Sequence, residues 1–288
     1  LLQAPSNKRP ACGLNTTDHA ARKGKVMSEA AVRLSIFVGL FAVLAACEYF
    51  VPRRQLRPLK ARRWFTNWTI VLIDSLLVRL LFKTAAVGGA LWAAERGIGL
   101  FNLIEAPYWL AFAISFAVLD FAVWLSHLAS HKIPLFWRIH RMHHSDVDID
   151  VSTAIRFHPI EIVLSMVWKY AVVLALGAPA ASVLVFEIVL NGGAMFNHSN
   201  FRLPLWLDRW LRLIIVTPDM HRVHHSVIPQ ETDSNYGFNL SVWDRMFKTY
   251  IAQPERGHDG MTIGLKEWQD ERPADLVWAL GVPFRDQR

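Results

Sequence analysis

Eight of the twelve histidines in this 288-residue chain stand in three short boxes: His127-Leu-Ala-Ser-His131, His140-Arg-Met-His143-His144 and His221-Arg-Val-His224-His225. Residues three and four apart share one face of a helix, so each box aims several imidazoles into one volume. Any fold of this chain must bring three helical segments together around that volume, and neutral imidazoles gathered in this way are a metal site. One HxxHH box alone is a weak signal; two of them with a third HxxxH box upstream are a strong one.

The chain is 53% hydrophobic and only 19% charged, with 12 Trp and 17 Phe, which is too apolar for an ordinary soluble domain. Runs long enough to cross a hydrocarbon core of ~30 Å as helices fall at Val32–Phe50, Thr69–Trp92, Pro107–Ser126, Ile160–Leu176 and Ala180–Phe196. The expected fold class is all-α, a polytopic membrane bundle of about five spans with a histidine-rich cytoplasmic cap. The second run contains Asp74, Arg79 and Lys83, and an interfacial helix is the other reading of it. Arg53, Arg54, Arg57, Lys60, Arg62 and Arg63 follow the first span, whereas residues 93–106 hold only Arg96, so the basic side is expected to be cytoplasmic. Five spans threaded from that anchor leave all three boxes on the cytoplasmic face. The net charge of +7 is concentrated beside a membrane helix, and no nucleic-acid partner is expected. Cys12 and Cys47 are the only cysteines, which leaves no cysteine metal site.

Four segments are expected: 1–26 as a non-structural extension before a start at Met27, 27–119 as N-terminal membrane helices, 120–250 as the histidine-box catalytic domain, and 251–288 as a cytoplasmic tail. Proline suits the first turn of a helix and threonine its cap, so Pro134 and Thr217-Pro218 mark short helices that begin just before the second and third boxes. His198 closes the fifth span on the box side and is the candidate ninth ligand. Asp120 lies two turns before His127, placed either to orient a ligand imidazole or to hydrogen-bond within the bundle. Asp219 and His158 are further candidates for supporting the ligands from outside, while His19 and His258 are expected in solvent. Residues 202–216 read either as an amphipathic helix on the leaflet or as a helix packed on the cap. Lys169 and Glu187, equidistant from the Gly177-Ala178-Pro179 turn, are expected to form an ion pair across a helical hairpin.

Eight or nine imidazoles exceed the needs of one ion, and two ions share them most economically. The sequence has no HExxH zincin motif and no nucleophile elbow. Two readings stand beside an enzyme of redox chemistry: a histidine-rich membrane transporter or storage protein for metal, and a hydrolase using two zinc ions.

The boxes in this order, with Asp120 upstream, Thr217-Pro218 before the last box and Asn235-Tyr236-Gly237 and Trp243-Asp244 after it, resemble the fatty acid hydroxylase / sterol desaturase superfamily over roughly Asp120–Tyr250. The Asp233–Tyr250 stretch is most similar to its alkylglycerol monooxygenase-like bacterial branch. Leu128 stands where arginine is common in the first box, and Ala194 where some members carry another histidine. The resemblance implies two iron ions held by His127, His131, His140, His143, His144, His198, His221, His224 and His225, with zinc as a substitute in purified material. It further implies dioxygen as co-substrate and hydroxylation or desaturation of a membrane lipid, acyl, ether-linked or sterol-like. No dinucleotide fingerprint is present, so electrons are expected from a separate donor protein or a pterin.

Overall fold

The computed structural model describes residues 28–82 and 84–286, which are helical with no strand among them. The expectations for residues 1–26, Met27 and His19 lie outside the described residues. Nine helices matter for the site: α1 (Glu29–Phe50), α2 (Lys60–Leu81), α3 (Ala86–Arg96), α4 (Tyr108–Lys132), α5 (Pro134–His144), α6 (Pro159–Leu176), α7 (Ala180–His198), α8 (Leu205–Leu211) and α9 (Pro218–His224). Four of them, α1, α4, α6 and α7, are long and apolar enough to cross a membrane. Leu34 and Val43 on α1, Trp109 on α4 and Val167 on α6 point outward and exposed, as side chains do where lipid is the solvent. The chain is an integral membrane protein.

The expected second span is corrected. The run Thr69–Trp92 is divided between α2 and α3 by an extended Phe82, and α3, at about 16 Å, is too short to span. α2 also begins nine residues earlier than the hydropathy suggests, because its first turns are polar and anchored. Arg63 is fully buried there, its guanidinium 2.5 Å from Asp146 and 2.7 Å from Asp150. From that anchored end α2 runs beside α6 to the far end of the bundle, where the Tyr170 hydroxyl lies 2.7 Å from Thr84 Oγ1.

At that far end small residues let backbones meet. Gly99, at φ +95°, would carry any Cβ to 2.2 Å from the Gly177 nitrogen, so only glycine fits. Lys169 and Glu187 pair at 2.8 Å across the α6–α7 hairpin as expected, and Arg33 of α1 joins them at 2.6 Å. Ala86, Leu119, Val173 and Phe186 pack the core between α3, α4, α6 and α7.

The other end is polar and clamped. The basic segment after α1 is used internally: Arg53 pairs with Asp219 and Asp259, Arg54 donates to the carbonyls of His258 and Met261, and Arg57 donates to Gln269. Residues 251–286, expected as a tail, fold back over α2 and α5. Trp268, Trp278 and Val282 are buried against Ile70 and Met142, and Arg141 donates to the Val282 carbonyl. His258 is thereby buried rather than solvent-facing. α8 holds Asp208 inward, paired with Arg212, and presents Leu205, Trp206 and Trp210 outward, which favours the leaflet-facing reading of this segment.

Candidate metal centre

Helical spacing delivers the imidazoles. His127 and His131 end α4 on one face; Pro134 opens α5, which carries His140, His143 and His144; Thr217 caps α9, which carries His221 and His224, with His225 at its end. His198 is the last residue of α7. All nine gather into two groups within which the ligand-capable nitrogens lie inside 4.8 Å of one another: His127, His131, His140, His144 and His224 in one, His143, His198, His221 and His225 in the other. Each HxxHH box therefore serves both groups. The pair four residues apart, His140/His144 or His221/His225, stays together, and the histidine between them, His143 or His224, turns to the other group, about 100° further round the helix.

The closest nitrogens are Nε2 of His127 and His140, Nε2 of His143 and His198, and Nε2 of His198 and His221, each pair 3.1 Å apart. Two imidazoles about 2.1 Å from a shared ion and at right angles to each other sit ~3 Å apart, so the spacing fits ligation. Five of the nine have their tautomer set by a second contact. Nδ1 of His127 donates to the Tyr236 carbonyl at 2.7 Å, that of His143 to Arg156 at 3.1 Å, that of His198 to Ala194 at 2.7 Å and that of His224 to Ser234 at 2.6 Å. Nδ1 of His140 meets the Glu161 carboxylate at 2.7 Å. Each such bond leaves the Nε2 lone pair facing inward. Inward-facing Nε2 of His224, both ring nitrogens of His131, His144 and His225, and Nδ1 of His221 are buried with no hydrogen-bond partner. Orphaned imidazole nitrogens in this number are costly unless a cation takes them.

Burial, and then the neighbouring imidazoles, hold His143, His144, His221 and His225 well below the usual histidine range, and His224 is pushed down to about 3. All are neutral at physiological pH, the form that binds metal.

The three residues expected to support the ligands do other things. Asp120 does not reach His127; its carboxylate accepts from Asn239 at 2.9 Å, Trp243 at 2.8 Å and the Leu240 amide at 3.3 Å, and so pins the loop after Tyr236. Asp219 faces away from the imidazoles and binds Arg222, Arg53 and His258. His158 caps α6 through Nδ1 and donates Nε2–H to the Leu280 carbonyl. The role assigned to Asp120 falls instead to Glu161, an acid in the first turn of an apolar span, which is itself a signal that it has a specific partner. The Tyr236 carbonyl is fixed by neighbours on both sides. Asn235, at φ +49°, bonds Met220 and Ile251, and Asp244 accepts from the amides of Tyr236 and Gly237.

A cavity of about 730 Å³ opens between α2, α4, α6 and α7, with His127 and His140 in its wall beside Val71, Leu164, Leu190 and Phe238. It is the size of a lipid-chain pocket, and only the five-histidine group reaches it.

Residues 112–249 match the sequence model of the fatty acid hydroxylase family. The chain is 31% identical over 168 residues to the alkylglycerol monooxygenase of Xenopus tropicalis, an alignment covering 56% of this chain and 36% of the relative. It is 29% identical over 195 residues to that of Homo sapiens, covering 65% and 41%. It is 30% identical over 141 residues to the ornithine lipid hydroxylase of Rhizobium tropici, covering 49% and 42%. The chain thus spans about two fifths of the length of these relatives. No solved structure matches it significantly. All nine gathered histidines fall inside residues 112–249, so the segment similar to the fatty acid hydroxylase family is the one that carries the site.

Proposed function

We propose that this protein is a membrane-bound non-haem oxygenase that hydroxylates or desaturates a lipid at the expense of dioxygen. The observation that carries this reading is the pair of histidine groups, five and four strong, set against the wall of an apolar cavity that lies among membrane helices. His127, His131, His140, His144 and His224 would hold one iron ion, and His143, His198, His221 and His225 the other, with zinc as a substitute. Such a pair supplies dioxygen activation and attack on an unactivated C–H bond; hydroxylation places one oxygen atom in the product and releases the other as water, with two electrons and two protons from outside.

The protein's own part is placement and exclusion. The Nδ1 bonds to Tyr236, Arg156, Ala194, Ser234 and Glu161 hold the imidazoles in one tautomer and one orientation. The apolar wall of the cavity admits an alkyl chain from the bilayer and keeps water from the reacting carbon. Arg53 and Arg63, close to the start of α2, pair with Asp219 and Asp146 beside the boxes, so the basic segment and the metal centre share one end of the bundle. By the positive-inside tendency that end is cytoplasmic, where a separate donor protein or a pterin delivers electrons.

The test is oxygen uptake by the purified protein in lipid, with a reductant, coupled to mass spectrometry of the lipid. A product heavier by one oxygen or lighter by two hydrogens is expected, and both signals should vanish in His143→Ala. Lipid turnover that consumes no oxygen would overturn the reading.

A further inference from the structure

The face of α8 that points away from the protein continues onto a second short helix, α10 (Val242–Met246). The Ser241 amide donates to the Ile214 carbonyl at 3.0 Å and the Arg245 guanidinium to the Arg212 carbonyl at 2.7 Å, so α10 sits against the end of α8. At 100° per residue, Leu205, Arg209, Trp206 and Trp210 fill one arc of about 140° on α8, and all four are exposed. Leu213 and Ile214 carry the exposed apolar surface past the end of α8, and Met246 and Phe247 carry it to the end of α10. Arg202, Arg209, Arg245 and Lys248 are exposed along the same two segments, and none pairs with a carboxylate among the described residues. The two acids there point inward, Asp208 to Arg212 and Asp244 to Trp124 and the Tyr236 amide. These segments thus present apolar and positive groups and no exposed negative one.

A seven-residue helix does not hold itself together in water, and an apolar face this wide needs a partner. Its height in the bundle names that partner. The Arg202 amide donates to the carbonyl of Val51, the residue that caps α1, and Phe247 stacks 4.6 Å from Trp124 of α4, three residues before His127. The surface is therefore tied on both sides to points where spanning helices leave the membrane. Tryptophans beside cations settle at the boundary of acyl chains and headgroups, with the rings in the apolar layer and the guanidinium reaching out to phosphate. Arg209 stands between Leu205 and Trp206 within the apolar arc, where a headgroup phosphate is the counter-ion in reach. We propose that α8 and α10 form a docking surface for anionic phospholipid at the histidine end of the bundle, and that this contact steadies the third histidine box. The link to the box is short: Asp208, on the inner side of α8, accepts a hydrogen bond at 2.5 Å from Thr217, the cap of α9.

The experiment follows hydrogen–deuterium exchange of the metal-loaded full chain in nanodiscs of phosphatidylcholine alone or of equal parts phosphatidylcholine and phosphatidylglycerol. Amides of residues 203–216 and 241–250 should exchange at least about fivefold more slowly in the anionic discs, the factor that one basic residue at an anionic surface contributes. Those of α9 should slow with them, and those at the far end of α6 should not. Raising the salt from about 0.1 to 1 M, which shortens the screening length from ~10 to ~3 Å, should erase the difference. The variant Arg202→Gln/Arg209→Gln/Lys248→Gln should exchange in both discs at the rate seen in phosphatidylcholine. Equal exchange of the wild-type protein in the two lipids overturns the proposal before any variant is made. So does protection that persists at high salt, or a triple variant that keeps the lipid difference. Protection that tracks the number of chains per disc instead of lipid charge would make this face an interface between copies, and would also overturn it. If α8 responds to lipid charge and α9 does not, the support of the third box falls.

Discussion

The two histidine groups are built from the same boxes and have different surroundings. The five-histidine group faces the cavity through His127 and His140, and two of its imidazoles face carboxylates, His140 that of Glu161 at 2.7 Å and His131 that of Asp233 at 3.5 Å. The four-histidine group lies behind it with all four residues completely buried, and the two Nδ1 contacts it has go to the backbone carbonyls of Arg156 and Ala194. A molecule in the cavity therefore meets one group first, while the other is sealed in protein. A carboxylate on Nδ1 also sets a charged group beside its imidazole where a carbonyl sets a neutral one. Two chemically distinct metal positions follow from one repeated motif.

The strongest way to break that comparison is to remove ligands one group at a time. His198→Ala should lose one of two bound ions and cut activity by more than the ~10–100-fold that outer partners cost, while His131→Ala should do the same to the other ion. Metal analysis and turnover check both; loss of both ions in each variant would merge the groups into one cooperative unit. Next in size is Glu161→Gln, which should weaken metal affinity roughly 10–100-fold at the five-histidine group only. Equal weakening of both ions in a metal-competition titration would contradict the asymmetry. Smaller again, Asp120→Asn should destabilise the protein by about 1–3 kcal/mol through loosened Asn239, Leu240 and Trp243 contacts, with metal stoichiometry retained. Thermal unfolding in detergent reads it, and an unchanged midpoint would remove Asp120 from the support of the Tyr236 loop.

The least effect is acid sensitivity behind α9. His258 is buried against Asp219 with its pKa lowered to about 4, first by desolvation and further by Arg222, Arg53 and Arg212. The unfolded chain binds a proton near pH 6.5 and the folded site only near 4, so stability rises with pH across that window and is lost as pH falls through it. Hydrogen exchange in 251–262 and α9 should quicken between pH 6.5 and 4 before exchange in α5 does. Simultaneous loosening of α5 would show that the two groups share one stability.

Much of this was legible in the chain because helical periodicity is local. Spacings of three and four residues pick out eight of the gathered histidines and the end of a span the ninth, His198, and the proline and threonine starts of α5 and α9 stand as written. The division into five and four was not legible, since it depends on which way each helix is rotated once packed. The start of α2 was placed nine residues too late because hydropathy cannot show that Arg63 is neutralised by Asp146 and Asp150, which lie more than eighty residues further along. The clasp formed by Trp268 and Trp278 carries no periodic pattern and comes only from tertiary packing. Position on a helix face left Asp120 either orienting His127 or hydrogen-bonding within the bundle, and could not show that its side chain meets donors from a distant loop.

The account stands on two ions in two histidine groups, and the iron content of the protein isolated in a lipid environment tests it most directly. Two iron ions per chain in a preparation that consumes oxygen are expected; an active preparation holding one ion per chain, or none, would contradict it.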